Sequence, residues 1–347
     1  MSNLRIIGIL IGIVGVLLSF RFFRGQKWNR QNFLFMLSSS FCLGLIAWNP
    51  DIVNSIQSIL SLELAERGRI LALLICATLV LWFVVIYNRN SLFKHSIQFD
   101  QLVRVLSQYQ IKEKLVQRLS QCDICILIPA FNESENLNKL LGEIPGKIKD
   151  KKIDVLVVDD CSEDNTSEVV REKGFNVVQN PINRGGGAAL RLGYDILMRA
   201  GVNICVTMDA DCQHNPDEIP NLIKPILNDK ADIVIGSRIL GSFERDSLFR
   251  ISGVYFFSFI VTSLTGLKIT DPSSGFRAFN FHKLNTISLY EDQYHTSELI
   301  INAAKKGLRI VEEPITILKR KHGQSKKGKN LKYGLYFAKT ILKSWWR

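Results

Sequence analysis

The sequence predicts an α/β domain on a mostly parallel sheet, preceded by membrane-spanning helices. Three long apolar segments follow one another before residue 90, and from residue 123 short Val- and Ile-rich runs alternate with helical patterns. Composition agrees. Hydrophobic residues make up 47% of the 347, mean hydropathy is +0.10, and the excess gathers before residue 90. A chain this long suits a domain plus an appendage.

The apolar segments are Leu4–Phe20, Phe33–Trp48 and Ile70–Tyr87. Each approaches the ~20 residues that cross a bilayer, although the first two are short. A cleaved leader would need small residues after its apolar stretch, and "SFRFFRGQKWNR" follows instead. Arg21, Arg24, Lys27 and Arg30 fill the first connection, and Arg89 and Lys94 follow the third segment. The second connection holds Asp51, Glu63 and Glu66 against Arg67 and Arg69. The excess of basic residues therefore predicts an external amino terminus, an external 49–68 loop and a cytoplasmic chain after the third segment, with Arg5 in dissent.

Residues 97–120, "IQFDQLVRVLSQYQIKEKLVQRLS", place Leu102, Val105, Leu106, Leu115 and Leu119 at helical spacing. This predicts an amphipathic connecting helix that packs on the next domain or pairs between subunits. The expected parts are thus a membrane module (1–90), the connecting helix (91–121), a catalytic domain (122–330) and a tail (331–347). In the tail Lys332, Lys339 and Lys343 with Trp345 and Trp346 read as an interfacial helix. "SLFRISGVYFFSFIVTSLTGL" (247–267) is apolar enough for a fourth span, but Arg250 and the motifs on both sides favour a helix dipping into the membrane.

In the third part, "DICILIP", "IDVLVVDD", "FNVVQN", "NICVTMD" and "ADIVIGS" read as strands separated by helices, which implies a parallel sheet with buried faces. Ligands of such sheets bind beyond the carboxyl ends of the strands. Acidic residues sit at those ends. Asp209 and Asp211 in "CVTMDADCQHNPDEI" are two like charges one residue apart, a penalty that a divalent cation removes. Asn215 and Pro216 then start a helix, so the pair occupies a short strand-to-helix loop. Mg²⁺ or Mn²⁺ takes one or two such carboxylates and completes its shell with water and substrate phosphates.

"ILIPAFNESENL" (126–137) ends a strand and brings Phe131 and Asn132 toward the crevice. "VVDDCSEDNT" (157–166) offers Asp160 as a free carboxylate suited to a nucleobase N–H. "NRGGGAALRLG" (183–193) is a glycine run that could cradle phosphate, without the P-loop lysine or the dinucleotide-binding spacing. The net charge of +12 fits an anionic membrane surface or a phosphorylated substrate. No aromatic RNA-binding motif or zinc-finger spacing points to nucleic acid. The odd cysteine count, seven, implies reduced thiols, and the lone Cys122/Cys125 pair reads as buried packing.

Taken in order, "IPAFNE", "VVDDCSEDNT", "NRGGGAALRLG", "MDADCQHNP", "IGSR", "TDPSSGFRAF" and "KRKHGQSK" resemble glycosyltransferase family 2, inverting nucleotide-sugar enzymes of GT-A fold. Within it they resemble the dolichyl-phosphate mannosyltransferase and bactoprenol glucosyltransferase branch. The resemblance implies that Pro129, Phe131 and Glu133 line the nucleotide pocket and that Asp160 binds the base. It implies that Asp209, Asp211 and Gln213 hold the metal. Arg238 meets the acceptor phosphate, with Arg250 as a second contact, and Arg320, His322 and Lys326 form a basic flap over the donor diphosphate. Asp271 and Arg277 fall at the sugar end, with Asp211, Asp271 and Arg238 as the catalytic set.

The implied protein is an integral membrane enzyme, most simply of a prokaryotic plasma membrane and possible as a homo-oligomer. It moves a sugar from a GDP- or UDP-sugar to a polyprenyl phosphate. One alternative is an enzyme extending a glycolipid or polysaccharide hydroxyl, for which Asp271 would serve as base. Another is a non-catalytic membrane scaffold that binds nucleotide sugars.

Overall fold

The computed structural model describes residues 3–24, 30–49, 67–109, 111, 113–243, 248–284, 286–287, 289–292, 295–319 and 330–346. The chain forms two compact units, Met1–Asp100 and Gln101–Trp346. The boundary falls inside the expected connecting segment.

In the first unit α1 (Asn3–Arg24), α2 (Arg30–Trp48) and most of α3 (Arg67–Tyr109) are helical. Phe20 and Phe23 of α1 pack on Phe33 of α2, with ring centroids 5.0 and 4.5 Å apart. Among the described residues one helix, Arg5–Arg24, is long and apolar enough to cross a membrane, not the three expected. Asn32–Trp48 forms a shorter apolar helix. The third expected span falls in α3, and many of its side chains lie outside the described residues.

The second unit continues with α4 (Glu113–Leu119), β1 (Ile124–Ala130), α5 (Ser134–Glu143), β2 (Lys147–Ile148), β3 (Lys151–Asp159), α6 (Thr166–Glu172) and β4 (Asn176–Gln179). There follow α7 (Gly186–Ala200), β5 (Ile204–Thr207), α8 (Ile219–Leu227), β6 (Ile233–Phe243), α9 (Leu248–Thr265), β7 (Arg277–Asn280), α10 (Phe281–Leu284), α11 (His295–Lys305), β8 (Ile310–Ile317) and α12 (Asn330–Trp346). The single helix expected over 97–120 is two: α3 ends at Tyr109 and α4 begins at Glu113. Leu102, Val105 and Leu106 are exposed, whereas Leu119 is buried.

The strands order as β2-β3-β1-β5-β7-β6-β8, with β4 also on β3. Pairs β1–β3, β1–β5, β3–β4 and β6–β8 are parallel, but β7 runs antiparallel to both β5 and β6. The sheet is therefore mixed, which corrects the mostly parallel expectation. The physical reason is that the chain returns from α9 through the 266–276 loop at the carboxyl edge of β5, so β7 must run downward from it.

Side chains alternate across the pleat. Ile124, Ile126 and Ile128 face a core shared with Leu137 and Leu140 of α5 and Leu222 and Ile223 of α8. Cys125 and Leu127 face the other core, shared with Leu192 of α7, Ile300 of α11 and Phe337 and Ile341 of α12. Burying these five β1 side chains supplies on the order of 10 kcal/mol as an upper bound. The described cysteines are free thiols, and burial pushes the Cys125 and Cys205 thiols well up.

Gly187, in the first turn of α7, lies so close to the 291–292 loop that a Cβ would meet the Glu291 oxygen at 2.4 Å and the Asp292 oxygen at 2.7 Å. Backbone cannot yield as a side chain tip can. Gly187→Ala is expected to destabilise the unit by about 2 kcal/mol, read as a lowered midpoint in urea.

Candidate active site

β1, β3 and β5 are parallel, with Ala130 opposite Asp159 and Leu127 opposite Thr207, so their following loops leave from one edge. The first two loops are laced together. Asn132 N–H donates to Ser162 Oγ (2.8 Å), Glu163 N–H to Asn132 Oδ1 (2.8 Å) and Glu133 N–H to Thr166 Oγ1 (3.0 Å). Asn132 sits at φ 52°, a left-handed position that asparagine tolerates. Pro129, Phe131 and Glu133 are half-buried along this rim, and the Glu133 carboxylate accepts from Asn136 Nδ2 at 2.6 Å.

Asp160 is not the free carboxylate that was expected. It is buried, and its oxygens accept from Asn180 Nδ2 (2.8 Å) and from the N–H groups of Arg184 (3.0 Å) and Gly185. Burial pushes its carboxyl up, against those hydrogen bonds. Gly187 N–H donates to the Asp292 carbonyl (2.8 Å), and Arg184 grips the Asp292 carboxylate at 2.9 and 3.1 Å. The protein itself thus takes up the amides of Arg184, Gly185 and Gly187 that a phosphate cradle would offer. Gly187 of this run packs α7 against the 291–292 loop.

Asp209 and Asp211 follow β5 as the spacing required. Asp211 is 6% exposed, and its Oδ1 accepts from Gln213 N–H at 3.2 Å. Cys212, between Asp211 and Gln213, takes φ 58°, which turns the chain sharply. A residue missed in the sequence holds this turn. His214 is buried, stacks on Phe276 (centroids 4.9 Å, planes 13° apart) and accepts the Asp209 N–H at Nδ1 (3.1 Å). The "QH" after the acidic pair was its signal.

The 270–276 loop is the second half of the site. A Cβ on Gly275 would lie 2.7 Å from Asp209 Oδ1, so only glycine lets the loop approach that carboxylate. Thr207 Oγ1 donates to the Gly275 carbonyl (2.7 Å). Farther along, Asp271 is fully buried. Its Oδ2 accepts from Arg238 Nε at 2.6 Å and its Oδ1 from Ser273 Oγ at 3.0 Å. Asp271, expected in the catalytic set, has its carboxylate paired with Arg238.

Glu312, also missed, receives the N–H groups of Thr270 and Asp271 (each 2.9 Å to Oε1) and ties the loop to β8. Its signal was hidden in "IVEEPITI". Arg277 spends its guanidinium on the carbonyls of Ser274, Thr296 and Pro272 (2.8, 2.7 and 2.9 Å). Burial lowers its pKa to about 10, so it stays a cation at neutral pH. It braces the loop.

The end of β8 is fastened to the acidic turn. Leu318 N–H donates to the Gln213 carbonyl (2.8 Å), and Gln213 Nε2 donates to the Leu318 carbonyl (3.3 Å). The chain enters the basic "KRKHGQSK" segment immediately beyond this clamp. Arg320, His322 and Lys326 themselves lie outside the described residues, as does the side chain of Arg250 in α9.

Among the described residues no cluster of three His, Cys, Asp or Glu side chains gathers to hold a metal. The two adjacent carboxylates still fit Mg²⁺ or Mn²⁺, hard cations that need few protein oxygens when substrate phosphates are present. Gly275, which leaves room against Asp209 for the loop alone, argues for a confined site.

Residues 125–288 match the model for glycosyl transferase family 2. The UDP-N-acetylglucosamine–dolichyl-phosphate N-acetylglucosaminyltransferase of Methanococcus voltae is 32% identical over 244 residues, covering 63% of this chain and 96% of that protein. The chain belongs to glycosyl transferase family 2. Another family 2 relative is the undecaprenyl-phosphate mannosyltransferase of Micrococcus luteus, 31% identical over 58% of this chain and 86% of its own. The fold is that of glucosyl-3-phosphoglycerate synthase from Mycobacterium tuberculosis, solved with Mn²⁺ and UDP-glucose. It matches with a TM-score of 0.53 and 20% identity over 67% of this chain and 83% of that one. The protein is accordingly a glycosyltransferase of GT-A fold, related to dolichyl- and undecaprenyl-phosphate sugar transferases.

Proposed function

We propose that this family 2 enzyme transfers a sugar, with inversion, from a nucleoside diphosphate sugar to a polyprenyl phosphate at the cytoplasmic face of a membrane. One observation carries the reading. A single loop, 270–276, joins the carboxylate pair at Asp209 and Asp211 to a guanidinium, Arg238, pinned by a buried partner. Such a site has a place for a cation beside the donor diphosphate and a fixed cation for a second phosphate.

In the reaction a phosphate oxygen of the acceptor attacks the anomeric carbon, the bond from that carbon to the nucleoside diphosphate breaks, and the leaving diphosphate carries away the electron pair. A phosphate monoester is already largely ionised at neutral pH, its second pKa being about 6, so no strong base is needed. Asp209 and Asp211, with Gln213, would hold Mg²⁺ or Mn²⁺, which neutralises charge building on the leaving diphosphate. Pro129, Phe131 and Glu133 line the nucleotide rim. Asp160 shapes the base end through Asn180 and the Arg184–Gly185 amides, and a base N–H would share that carboxylate with them. Arg320, His322 and Lys326, with Arg250 near the acceptor, add positive charge. The relatives' substrates, dolichyl and undecaprenyl phosphates, support this acceptor. The rival acceptor, a sugar hydroxyl, needs a base, and the carboxylate expected there serves Arg238.

Membrane anchoring is part of the proposal, through the apolar amino-terminal segments, of which Arg5–Arg24 alone among the described residues is long and apolar enough to cross a bilayer, and a surface of the second unit. Tyr255, Phe256 and Phe259 of α9 are exposed, as are Tyr336, Leu342, Trp345 and Trp346 of α12, and Phe257 joins the two helices by packing on Phe337 (4.4 Å). Aromatic residues with lysines suit a bilayer surface.

The test of function is incubation of membranes containing the protein with radiolabelled nucleotide sugars, singly, plus polyprenyl phosphate. Lipid-extractable label that mild acid releases is expected for one sugar. Label stable to mild acid would instead indicate a sugar hydroxyl as acceptor. For topology, Ser58→Cys is expected to react with an impermeant thiol reagent from outside intact cells. Labelling only after the membrane is opened would reverse the orientation.

A further inference from the structure

The amides that meet Asp160 sit on a backbone with little stiffness of its own. Residues 185–187 are three consecutive glycines, and Gly185 takes φ 98° and ψ 164°, a conformation essentially open to glycine alone. Glycine loses more conformational freedom on ordering than any other residue, so this turn needs an outside hold.

The 290–292 loop supplies it, and Asp292 is the centre. Arg184 Nη2 donates to both oxygens of the Asp292 carboxylate (3.1 and 2.9 Å), and Arg191 donates to the same carboxylate. Gly187 N–H donates to the Asp292 carbonyl at 2.8 Å. The arginine side chains are 9% and 5% exposed, so Asp292 balances cations that water barely reaches. The loop is itself fixed from behind. The N–H groups of Tyr290 and Glu291 donate to the fully buried Glu298 of α11 (3.0 and 2.9 Å), and Glu291 pairs with Lys343 of α12 (2.6 Å). Arg184 therefore joins two sites, with its amide on Asp160 and its guanidinium on Asp292.

An ionised carboxylate only accepts, through about four lone-pair sites. Asn180, Arg184 and Gly185 are three donors to Asp160, which leaves a place for one more N–H. Uracil and guanine carry a ring N–H on the edge they present to a partner. Cytosine and adenine have a lone pair at that ring position, which a carboxylate repels. A site built around one such hydrogen bond rejects the analogue that lacks it.

We propose that Asp292 is a positioning residue for donor selection. By holding the 184–187 turn it keeps the Asp160 carboxylate aimed at a uracil or guanine base and set against cytosine and adenine. This rests on the reading of Asp160 as the base end of the donor site. Asp292 touches no substrate. Without its charge the turn loses its anchor, the amides leave Asp160, and the carboxylate loses its orientation.

The test titrates the full chain in mild detergent with UDP, CDP, GDP, ADP and inorganic pyrophosphate, each with Mn²⁺, by calorimetry. The unsubstituted protein should prefer UDP over CDP or GDP over ADP. Asp292→Asn should shrink that preference roughly 10-fold or more, the scale of one hydrogen bond to a charged group, with pyrophosphate affinity level. Arg184→Ala, which keeps the amide and cuts its tie to Asp292, should act in the same direction. Arg309→Ala breaks a different ion pair, with the buried Asp232 before β6, and should lower the melting temperature while leaving the preference intact. No base preference in the unsubstituted protein, or a preference kept in both Asp292→Asn and Arg184→Ala, would overturn the inference. So would pyrophosphate affinity falling as far as nucleotide affinity, or a preference lost equally in Arg309→Ala. Asp160→Asn separates the inference from the reading beneath it. A preference lost there but kept in Asp292→Asn refutes the role of Asp292 alone, and a preference kept in Asp160→Asn refutes both.

Discussion

Asp211→Asn is expected to lower sugar transfer by roughly 10³-fold, the scale set by losing one electrostatic contact at a developing charge. The fold should survive. Asparagine keeps the oxygen that accepts the Gln213 N–H. It also removes repulsion between two carboxylates one residue apart, so the melting temperature should stay level or rise. Chelation by EDTA should reproduce the loss, and added Mn²⁺ should restore activity in the unsubstituted protein but not in the variant. Steady-state turnover beside a thermal melt separates these outcomes. Undiminished transfer in metal-free buffer would remove the metal from the proposal.

Much of the domain was readable because β1, β3, β4, β5 and β6 are short Val/Ile runs bounded by helices, the pattern of strands buried on both faces. Three strands were not readable, and the antiparallel pairs of two of them, β2 and β7, explain the error in sheet direction. β7, "RAFN", is four residues long and begins with the arginine that braces the preceding loop. β8, "IVEEPITI", carries two glutamates and a proline, features that a central strand excludes and an edge strand tolerates. One of those glutamates, Glu312, holds the 270–276 loop, so the same local oddity hid both the strand and the support of the site.

The acidic turn was legible because adjacent carboxylates at a strand end need an external explanation. Asp160 misled because a carboxylate in a turn looks free in sequence, and only the fold brings Asn180 and the α7 amides to it. The membrane segments read easily as apolar runs, but length and apolarity single out Arg5–Arg24 alone among the described residues. The connecting helix broke at Tyr109 because nothing in its spacing marks where the chain must turn to enter the sheet.

The pair Arg238–Asp271 yields the other large effect, and its two halves should separate cleanly. Arg238→Lys keeps a cation near Asp271 but loses the Nε–H···O bond and the fork able to grip a phosphate by two parallel hydrogen bonds. A charge-assisted bond contributes about 1.5–3 kcal/mol, so the apparent KM for polyprenyl phosphate should rise roughly 10- to 100-fold. The KM for the nucleotide sugar should change little. Asp271→Asn acts elsewhere. Arg238 is only 12% exposed at its side chain, and removing its fully buried partner leaves a cation without compensation. That costs about 3–5 kcal/mol, a fall on the order of 10 °C in melting temperature for a unit of this size. The buried pair is lost whichever acceptor is used, but if Asp271 were instead the base for a sugar hydroxyl the same substitution would also abolish kcat. Measuring both quantities on both variants therefore decides between a phosphate and a hydroxyl acceptor. An Asp271→Asn without measurable kcat together with an Arg238→Lys of unaltered polyprenyl-phosphate kinetics would overturn the phosphate assignment.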